Sequence, residues 1–334
     1  MILARREFEW INHVLNLGEE PQFMETDELI PDLPELDLII NNPFGSSKYT
    51  YTQNGQIWVA TDNWQMRQLT NSEEDCSSPR FSCDGENLVW TVSDQLISIL
   101  DDGNVRWLPT DSPKRCAGFS PNGEWLVYQR DDALVVYHLV SEEEETIVSN
   151  GIDLACSPYW VTTHLGLHGR IYFANQSSSQ TNLYWISPRQ RVADLSQAVL
   201  VAEDCVQPFY VSGALGGIVV VENERSGSEI IRQDITIATN AISSYFKVAV
   251  EYNSDPEISW NGKRLDLVIG DYFGFQGAAV ELSGGYGALY LTNNNGIYLL
   301  DAGKFISQSN LTINDVFLLL VEGGSDIDIN PAYD

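Results

Sequence analysis

The sequence has few basic residues and few histidines. Its 334 residues include 18 lysines and arginines and 4 histidines against 47 aspartates and glutamates, which gives a formal net charge of −29. A field of this sign repels phosphate backbones and anionic membrane surfaces, so the composition argues against nucleic acid and membranes as partners. It attracts a cationic protein or a divalent metal, and it also keeps a large surface soluble.

The sequence also lacks long apolar runs. None approaches the ~18 residues that a membrane-spanning helix requires. The first residues, "MILARREFEWINHVLNL", are interrupted by charges and contain no apolar core of a secretory signal. Five cysteines, an odd number at irregular spacing, predict reduced and mostly buried thiols. We therefore expect a cytoplasmic protein.

What the sequence does contain is a repeated turn between strand-like segments. "FSCDGENLVW" begins at Phe81, "FSPNGEWLVY" begins at Phe119, and a third copy, "ISWNGKRLDLV", begins at Ile258. The dipeptide at the centre of each copy is typical of a tight type I′ hairpin turn, which requires positive φ at both central residues. The predicted structural turn residues are Asp84, Gly85, Asn122, Gly123, Asn261 and Gly262.

The strand pattern around these turns predicts an all-β ring. After each of the first two turns come three short segments rich in β-branched and aromatic residues, such as "NLVWTV" and "DQLISIL". Four short antiparallel strands in a repeat of ~40 residues are typical of a β-propeller blade. Weaker copies begin at Pro158-Tyr159-Trp160 and Pro208-Phe209-Tyr210, which align with Pro79-Arg80-Phe81. We predict six blades, with seven as the alternative because residues 241 to 277 fit either a blade or an insertion.

The two clear copies resemble the repeat of TolB-like β-propellers, in which an aromatic-Ser-Pro-Asp-Gly turn follows the inner strand of a blade. The resemblance covers residues 36 to 322 as a fold and is weaker in the fourth and fifth blades, where the turn is lost. It implies a propeller and often a protein-binding role. It implies no single activity, because one scaffold hosts many functions.

Three segments follow from this pattern. Residues 1 to 35 are predicted to be a helix and an acidic tether, residues 36 to 322 a propeller, and residues 323 to 334 an acidic tail. Apolar side chains at helical spacing predict that the helix, residues 2 to 17, either caps the propeller or docks into a partner. The candidate partner-binding residues are Phe8, Trp10, Ile11, Val14 and Leu15.

Motifs for metal or catalysis are weak. His164 and His168 are four residues apart but fall in a turn or strand end, which makes them poor metal candidates. Asp326 and Asp328 begin a calcium-like spacing that Pro331 breaks, so their alternation with isoleucines predicts a strand instead. Cys76, Cys116, Cys156 and Cys205 each precede an inner strand in unequal registers, and we interpret them as buried apolar side chains.

These observations favour a non-enzymatic propeller that binds protein partners, some of them basic, as a scaffold subunit of a larger assembly. No cofactor, metal, nucleic acid or inserted membrane is predicted. The alternative is a propeller enzyme, a metal-assisted lyase or hydrolase, with its site at a channel mouth. Such a site would be assembled from separate blades and would leave no local motif in the sequence.

Overall fold

The fold is described from a computed structural model. All described residues belong to the compact unit Pro34–Asp334. They are residues 36–38, 47–61, 63–101, 103–109, 112–161, 169–177, 180–211, 217–239, 246–251, 257–260, 265–270, 277–283, 286–293, 295–301 and 317–330. The helix predicted over residues 2 to 17 lies outside this part of the chain and has no structural support.

The described part of the chain is almost entirely β-structure, with one short 3₁₀ helix at Leu195–Gln197. Within it, no helix is long and apolar enough to cross a bilayer. Five sheets are four-stranded and antiparallel. The first blade consists of β2 (Tyr49–Gln53), β3 (Gln56–Ala60) and β4 (Met66–Gln68) with β28 (Gly324–Ile329), and the second of β6 (Cys76–Phe81), β7 (Asn87–Val92), β8 (Leu96–Asp101) and β9 (Asn104–Trp107). The third consists of β10 (Lys114–Phe119), β11 (Trp125–Arg130), β12 (Ala133–His138) and β13 (Glu144–Val148), and the fourth of β14 (Tyr159–Val161), β15 (Arg170–Gln176), β16 (Thr181–Ile186) and β17 (Val199–Ala202). The last four-stranded blade consists of β24 (Gly277–Ser283), β25 (Tyr286–Asn293), β26 (Gly296–Asp301) and β27 (Phe317–Glu322).

A sixth sheet has a different form. Its strands are β18 (Cys205–Val211), β19 (Gly217–Ser226), β20 (Glu229–Thr239), β21 (Phe246–Glu251), β22 (Glu257–Trp260) and β23 (Leu265–Gly270). They lie in the order β18-β19-β20-β21-β23-β22, and β21 pairs with β23 in parallel. A separate two-stranded sheet joins β1 (Leu36–Leu38) to β5 (Thr70–Ser72).

The inner strands of the sheets close a ring. In the order β28, β6, β10, β14, β18 and β24, each inner strand contacts the next, and β24 contacts β28 again. β28 is paired with β2, so the last strand of the described chain completes the first blade. This arrangement is a single β-propeller, as the sequence predicted.

The predicted number of blades is wrong. The described residues form five four-stranded blades, not six or seven. Three strands follow β20 in its sheet where a regular blade has one, and two of them, β21 and β23, pair in parallel. The propeller also extends beyond the predicted boundary at residue 322, since β28 at Gly324–Ile329 is its innermost strand in the first blade.

The core lies between neighbouring blades. One cluster joins Val89 and Ile99 of the second blade to Phe119 and Tyr128 of the third, and similar clusters fill the layers before and after it. A middle strand such as β7 is buried on both faces from Leu88 onward. This explains why "LVWTV" is almost entirely apolar and does not alternate between apolar and polar residues. Each buried Leu or Ile contributes about 1.5–3 kcal/mol.

The repeated turn is built around a serine hydroxyl. Ser82 Oγ accepts a hydrogen bond from the Asn87 N–H at 2.9 Å, and Ser82 O accepts one from the Gly85 N–H at 2.9 Å. Gly85 has φ +70°, whereas Asp84 has ordinary negative φ. The turn therefore differs from the predicted type I′ turn, because only its glycine requires the left-handed conformation.

The same geometry returns in the third blade. Ser120 Oγ accepts from the Trp125 N–H at 2.9 Å, Ser120 O accepts from the Gly123 N–H at 2.9 Å, and Gly123 has φ +71°. The third sequence copy, at Asn261 and Gly262, lies outside the described residues. The serine and the glycine thus have separate tasks, one closing the turn and the other supplying its backbone conformation.

Gly123→Val tests this assignment. A β-branched residue resists φ +71°, so the substitution is expected to lower the free energy of unfolding by about 1–3 kcal/mol. Glu124→Val is the matched control, because Glu124 is exposed and has ordinary φ, and its cost should stay within about 0.5 kcal/mol. Urea denaturation of the two variants gives both values, and equal stabilities would contradict the geometry of the turn.

Candidate functional site

A bulge interrupts the inner strands at one shared position. The register shifts between Ser77 and Arg80 in β6 and between Arg115 and Gly118 in β10, and β18 has a corresponding shift. In β28 the residue at this position is Asp326. Bulges re-aim the side chains that follow them and are frequent beside functional sites.

The bulge holds non-glycine residues in the left-handed region. Ser78, Cys116 and Asp326 have φ values of +54°, +58° and +51°. Such values are uncommon for residues with a Cβ and carry a backbone cost that the surrounding structure must offset. Because three blades adopt the same conformation, the bulge is a built feature of the inner ring.

Two residues after the bulge residue Cys116, the inner strand of the third blade has a glycine, Gly118. A Cβ placed on Gly118 would lie 2.2 Å from Pro158 O, so β10 and the chain entering β14 touch backbone to backbone. Any larger residue at Gly118 would force the two blades apart. The glycine therefore leaves room for the equivalent side chains of the second and fourth blades to meet across the ring.

Those equivalent side chains are Arg80 and Tyr159, and Asp328 of the first blade joins them. The Arg80 guanidinium carbon lies 5.3 Å from the centre of the Tyr159 ring, and Arg80 is only 3% exposed. Asp328 Oδ2 accepts a hydrogen bond from the Phe81 N–H at 2.8 Å. We call Arg80, Tyr159 and Asp328 the central cluster.

Burial controls the protonation of the central cluster. It raises the pKa of the Asp328 carboxyl, against the opposing effects of the Arg80 charge, the Phe81 N–H and the Tyr159 hydroxyl. It also raises the pKa of Tyr159 well above its usual value. The phenol is therefore neutral at neutral pH.

Arg80 keeps its charge in this setting. Burial acts to lower the pKa of its guanidinium, but the acidic groups around it outweigh burial and raise that pKa above the ordinary value. Arg80 Nη1 also donates to Pro79 O at 2.7 Å. A buried guanidinium needs such partners, because an isolated buried charge costs several kcal/mol.

Buried thiols surround the cluster. Cys156 lies close enough to Arg80, Cys116 and Asp326 to interact with them electrostatically, and burial raises its pKa. Burial raises the pKa of Cys116 to about 12 and that of Cys205 to about 12. These thiols stay protonated near neutral pH, and a protonated thiol is a poor nucleophile.

The chemistry of this site is electrostatic pairing. The phenol and the thiols titrate far from neutral pH, whereas a general acid or base works best near the operating pH. Within the described residues, no group of three or more His, Cys, Asp and Glu side chains could hold a metal ion. The only described histidine, His138, packs against Trp125 in the third blade, with ring centres 4.5 Å apart and the ring planes tilted by 55°.

The predicted site residues are distributed as follows. Phe8, Trp10, Ile11, Val14, Leu15, His164 and His168 lie outside the described residues. Asp84 and Gly85 form a turn next to the turn of Asn122 and Gly123, since a Cβ on Gly123 would lie 3.7 Å from Asp84 Oδ2. Cys83 of the first turn interacts electrostatically with Asp328, so this turn lies beside the central cluster.

Sequence reasoning did not find the central cluster as a site. One signal was present, because Pro79-Arg80-Phe81 aligns with Pro158-Tyr159-Trp160 and thus gives Arg80 and Tyr159 the same repeat position. The alternation in β28 predicted a strand for Asp326 and Asp328, but nothing local shows that this strand joins the first blade. The central cluster forms only when the ring closes, and ring closure pairs strands that are far apart in the sequence, so no short motif indicates it.

Comparisons with known proteins reveal the fold alone. No known protein family and no curated protein matches the sequence. Among solved structures, one chain of a nidogen/laminin complex is 13% identical with a TM-score of 0.51, and the match covers 86% of this chain and 100% of that one.

Two further structures resemble this chain with lower TM-scores. A TolB protein from Agrobacterium tumefaciens is 15% identical over 61% of this chain and 76% of that chain, with a TM-score of 0.44. A gluconolactonase from Xanthomonas campestris is 12% identical over 80% of this chain and 85% of that chain, with a TM-score of 0.43. The ring of blades itself defines the fold class, which is the β-propeller.

Arg80→Leu tests the role of the buried charge. The change leaves the Asp328 carboxylate without its cation, so the free energy of unfolding at pH 7 should fall by about 3–5 kcal/mol. A carboxyl with a raised pKa binds its proton more tightly in the folded chain, so its contribution to stability is present at low pH and is lost as the pH rises. The difference in the free energy of unfolding between Arg80→Leu and the unmodified chain should therefore become smaller as the pH is lowered from 7 to 5.

The control for this measurement is Arg115→Leu. Arg115 pairs with Asp153 at the surface, with side chains 29% and 56% exposed, so its loss should cost less than about 1 kcal/mol. A double variant, Arg80→Leu with Asp328→Asn, should be less destabilised than the sum of its parts. If the losses of unfolding free energy from Arg80→Leu and Asp328→Asn simply add, or if Arg80→Leu and Arg115→Leu cost the same, the proposed interaction of Arg80 with Asp328 would be contradicted.

Thiol labelling tests the burial of the cysteines. Cys83 is exposed and the other four cysteines are buried. Iodoacetamide at pH 8 is expected to label Cys83 alone in the native chain, and slowly, because partial burial beside acidic groups raises its pKa to about 11. Mass spectrometry should find five labels after denaturation, and rapid native labelling of Cys156 would contradict the buried cluster.

Proposed function

We propose that this chain is a non-enzymatic β-propeller that binds protein partners as a scaffold subunit of a larger assembly. The observation that carries the proposal is the occupation of the ring centre by the central cluster. Arg80, Tyr159 and Asp328 come from three different blades. The Arg80 guanidinium lies over the Tyr159 ring and donates to Pro79 O, and Asp328 accepts a hydrogen bond from the Phe81 N–H. Side chains paired in this way are committed to holding the blades together.

The surface supports a binding role. Apolar side chains are exposed on the outer strands of two blades, at Val199 to Val201 of β17 and at Leu318 and Leu319 of β27. Contiguous exposed apolar surface is typical of protein-interaction sites. The net charge of −29 favours a basic partner over an acidic one.

Membership of the TolB-like repeat family and a cytoplasmic location are parts of the same proposal. The family assignment is supported by "FSCDGENLVW" and "FSPNGEWLVY", whose serine and glycine have matching tasks in the two turns. The location is supported by five free cysteines, four of them buried. Free thiols of this number are ordinary in a reducing compartment.

A propeller enzyme is the second candidate, and one observation favours it. The carboxylates of Asp326 and Asp328 converge with Arg80 near the ring axis, where a site assembled from separate blades would lie. An acid and a guanidinium could act on a small substrate if the site opened. The raised pKa values of the phenol and the thiols, and the partners already present, weigh against this candidate.

Affinity purification from the native host separates the two candidates. The full chain should copurify with one or more partner proteins in stoichiometric amount, measured by native mass spectrometry. A chain lacking residues 1 to 34 tests whether the predicted helix and tether carry the contact. A full chain that purifies alone, together with a metal ion or a bound small molecule, would contradict the scaffold proposal and favour the enzyme.

A further inference from the structure

Strand β17 presents an open apolar edge. It is the outermost strand of its blade, and no strand of the described chain pairs with its outer side. Val199, Leu200 and Val201 are 46%, 45% and 46% exposed. Successive residues of a strand point to opposite faces, so this edge is apolar on both faces.

Edges of this kind are normally protected. Natural proteins place lysine, proline or other charges on edge strands, because the unpaired N–H and C=O groups are a template for another strand. The outer strand of the first blade follows this rule with exposed Arg67, and that of the third blade follows it with Glu144 and Glu145. The four residues of β17, "VLVA", contain no such protection.

The charges beside β17 in the sequence are few. The segment before it is joined to the neighbouring blade, since Val192 forms a bridge with Val148 and Arg191 pairs with Glu145. Arg191 is therefore neutralised by its ion pair, and Arg189 before it is exposed. The chain as a whole carries a net charge of −29, so the field around this edge is set mainly by that acidic excess.

An exposed carboxylate follows β17. Glu203, directly after the strand, is exposed, whereas the next acid, Asp204, pairs with Arg225. An apolar edge on a chain of net charge −29 favours an occupant that is apolar along its length and basic beside it. A second copy of this chain offers the same apolar edge but also the same net charge of −29, so it meets only the first condition.

We propose that β17 is the docking edge for an extended segment of a partner protein with alternating apolar and basic residues. The segment adds to the blade as a fifth strand. Main-chain hydrogen bonds to β17 supply the register, Val199 to Val201 supply apolar contact, and Glu203 together with the net negative charge of the chain attracts the basic side chains. The inference rests on the proposed protein-binding function and names its contact surface and the chemistry of the partner.

A defined peptide tests the edge. The probe is a fluorescein-labelled nine-residue peptide of alternating valine and lysine, titrated with the purified full chain by fluorescence anisotropy. Leu200→Asn should weaken binding by about tenfold or more, because it removes an apolar contact and a good strand former without changing charge. Val140→Asn is the matched control, since Val140 is 83% exposed in the turn between β12 and β13 of the third blade, and it should bind as the unmodified chain does.

Two altered peptides separate strand addition from charge attraction. N-methylation of alternate residues removes main-chain donors and keeps the charge, so it should abolish binding. Replacement of lysine by glutamate should also abolish it. On binding the lysine peptide, hydrogen exchange should slow at Val199 to Val201. Equal affinity of the methylated peptide, equal affinity of the Leu200→Asn variant, or unchanged exchange at β17 would each overturn the proposal.

The partner found by affinity purification distinguishes this inference from the proposed function. Loss of that partner from Leu200→Asn, but not from Val140→Asn, supports both. Equal retention by both variants overturns the docking edge and leaves the binding function standing. Light scattering that gives a dimer disrupted by Leu200→Asn would overturn the inference in favour of a second copy, and a full chain without any partner would contradict the function itself.

Discussion

The structure depends on closure of the ring by β28. This strand pairs with β2 and contacts β6, so it connects the first blade to the second and makes the circle continuous. It also positions Asp328, which accepts a hydrogen bond from the Phe81 N–H and lies close enough to Arg80 to interact with its charge. A ring of blades without this strand would have an open edge and a buried guanidinium with fewer anionic neighbours. Backbone pairing and buried charge therefore depend on each other.

The central cluster does not need to be the largest source of stability. Apolar layers between the blades bury many side chains such as Trp90, Tyr128 and Phe173, and their summed contribution is much larger than that of one paired charge. The buried Arg80 charge instead favours one arrangement of the blades. Arg80 is close to Tyr159 and Asp328 only when the first, second and fourth blades have the correct order and register. We regard this as the reason for a costly buried group in an otherwise apolar interior.

Local sequence predicted the parts of the fold that local chemistry determines. Ser82 and Gly85 form a turn as the repeat required, and the runs after Asn87 and Trp125 are strands. The turn type was wrong because the serine hydroxyl, not a second left-handed residue, closes it. Hydroxyl geometry of this kind is not visible in an Asp-Gly dipeptide.

Features that depend on distant parts of the chain were missed. The parallel pairing of β21 and β23 and the insertion of β28 beside β2 changed the number of regular blades and the boundary of the propeller. The central cluster required both the ring and the absence of a side chain at Gly118. Equal repeat positions indicated that Arg80 and Tyr159 are related, but only the closed ring brings them together.

The pairing of β28 with β2 has a consequence for synthesis of the chain. While a ribosome is still adding residues, β2 and β3 already exist but the inner place of their sheet is vacant, since β28 lies near the other end of the sequence. Closing so long a loop is slow and entropically unfavourable. The nascent chain must therefore keep an unpaired strand edge from other nascent chains until β28 has been made, which makes the first blade its most vulnerable region for aggregation and its natural contact for a chaperone.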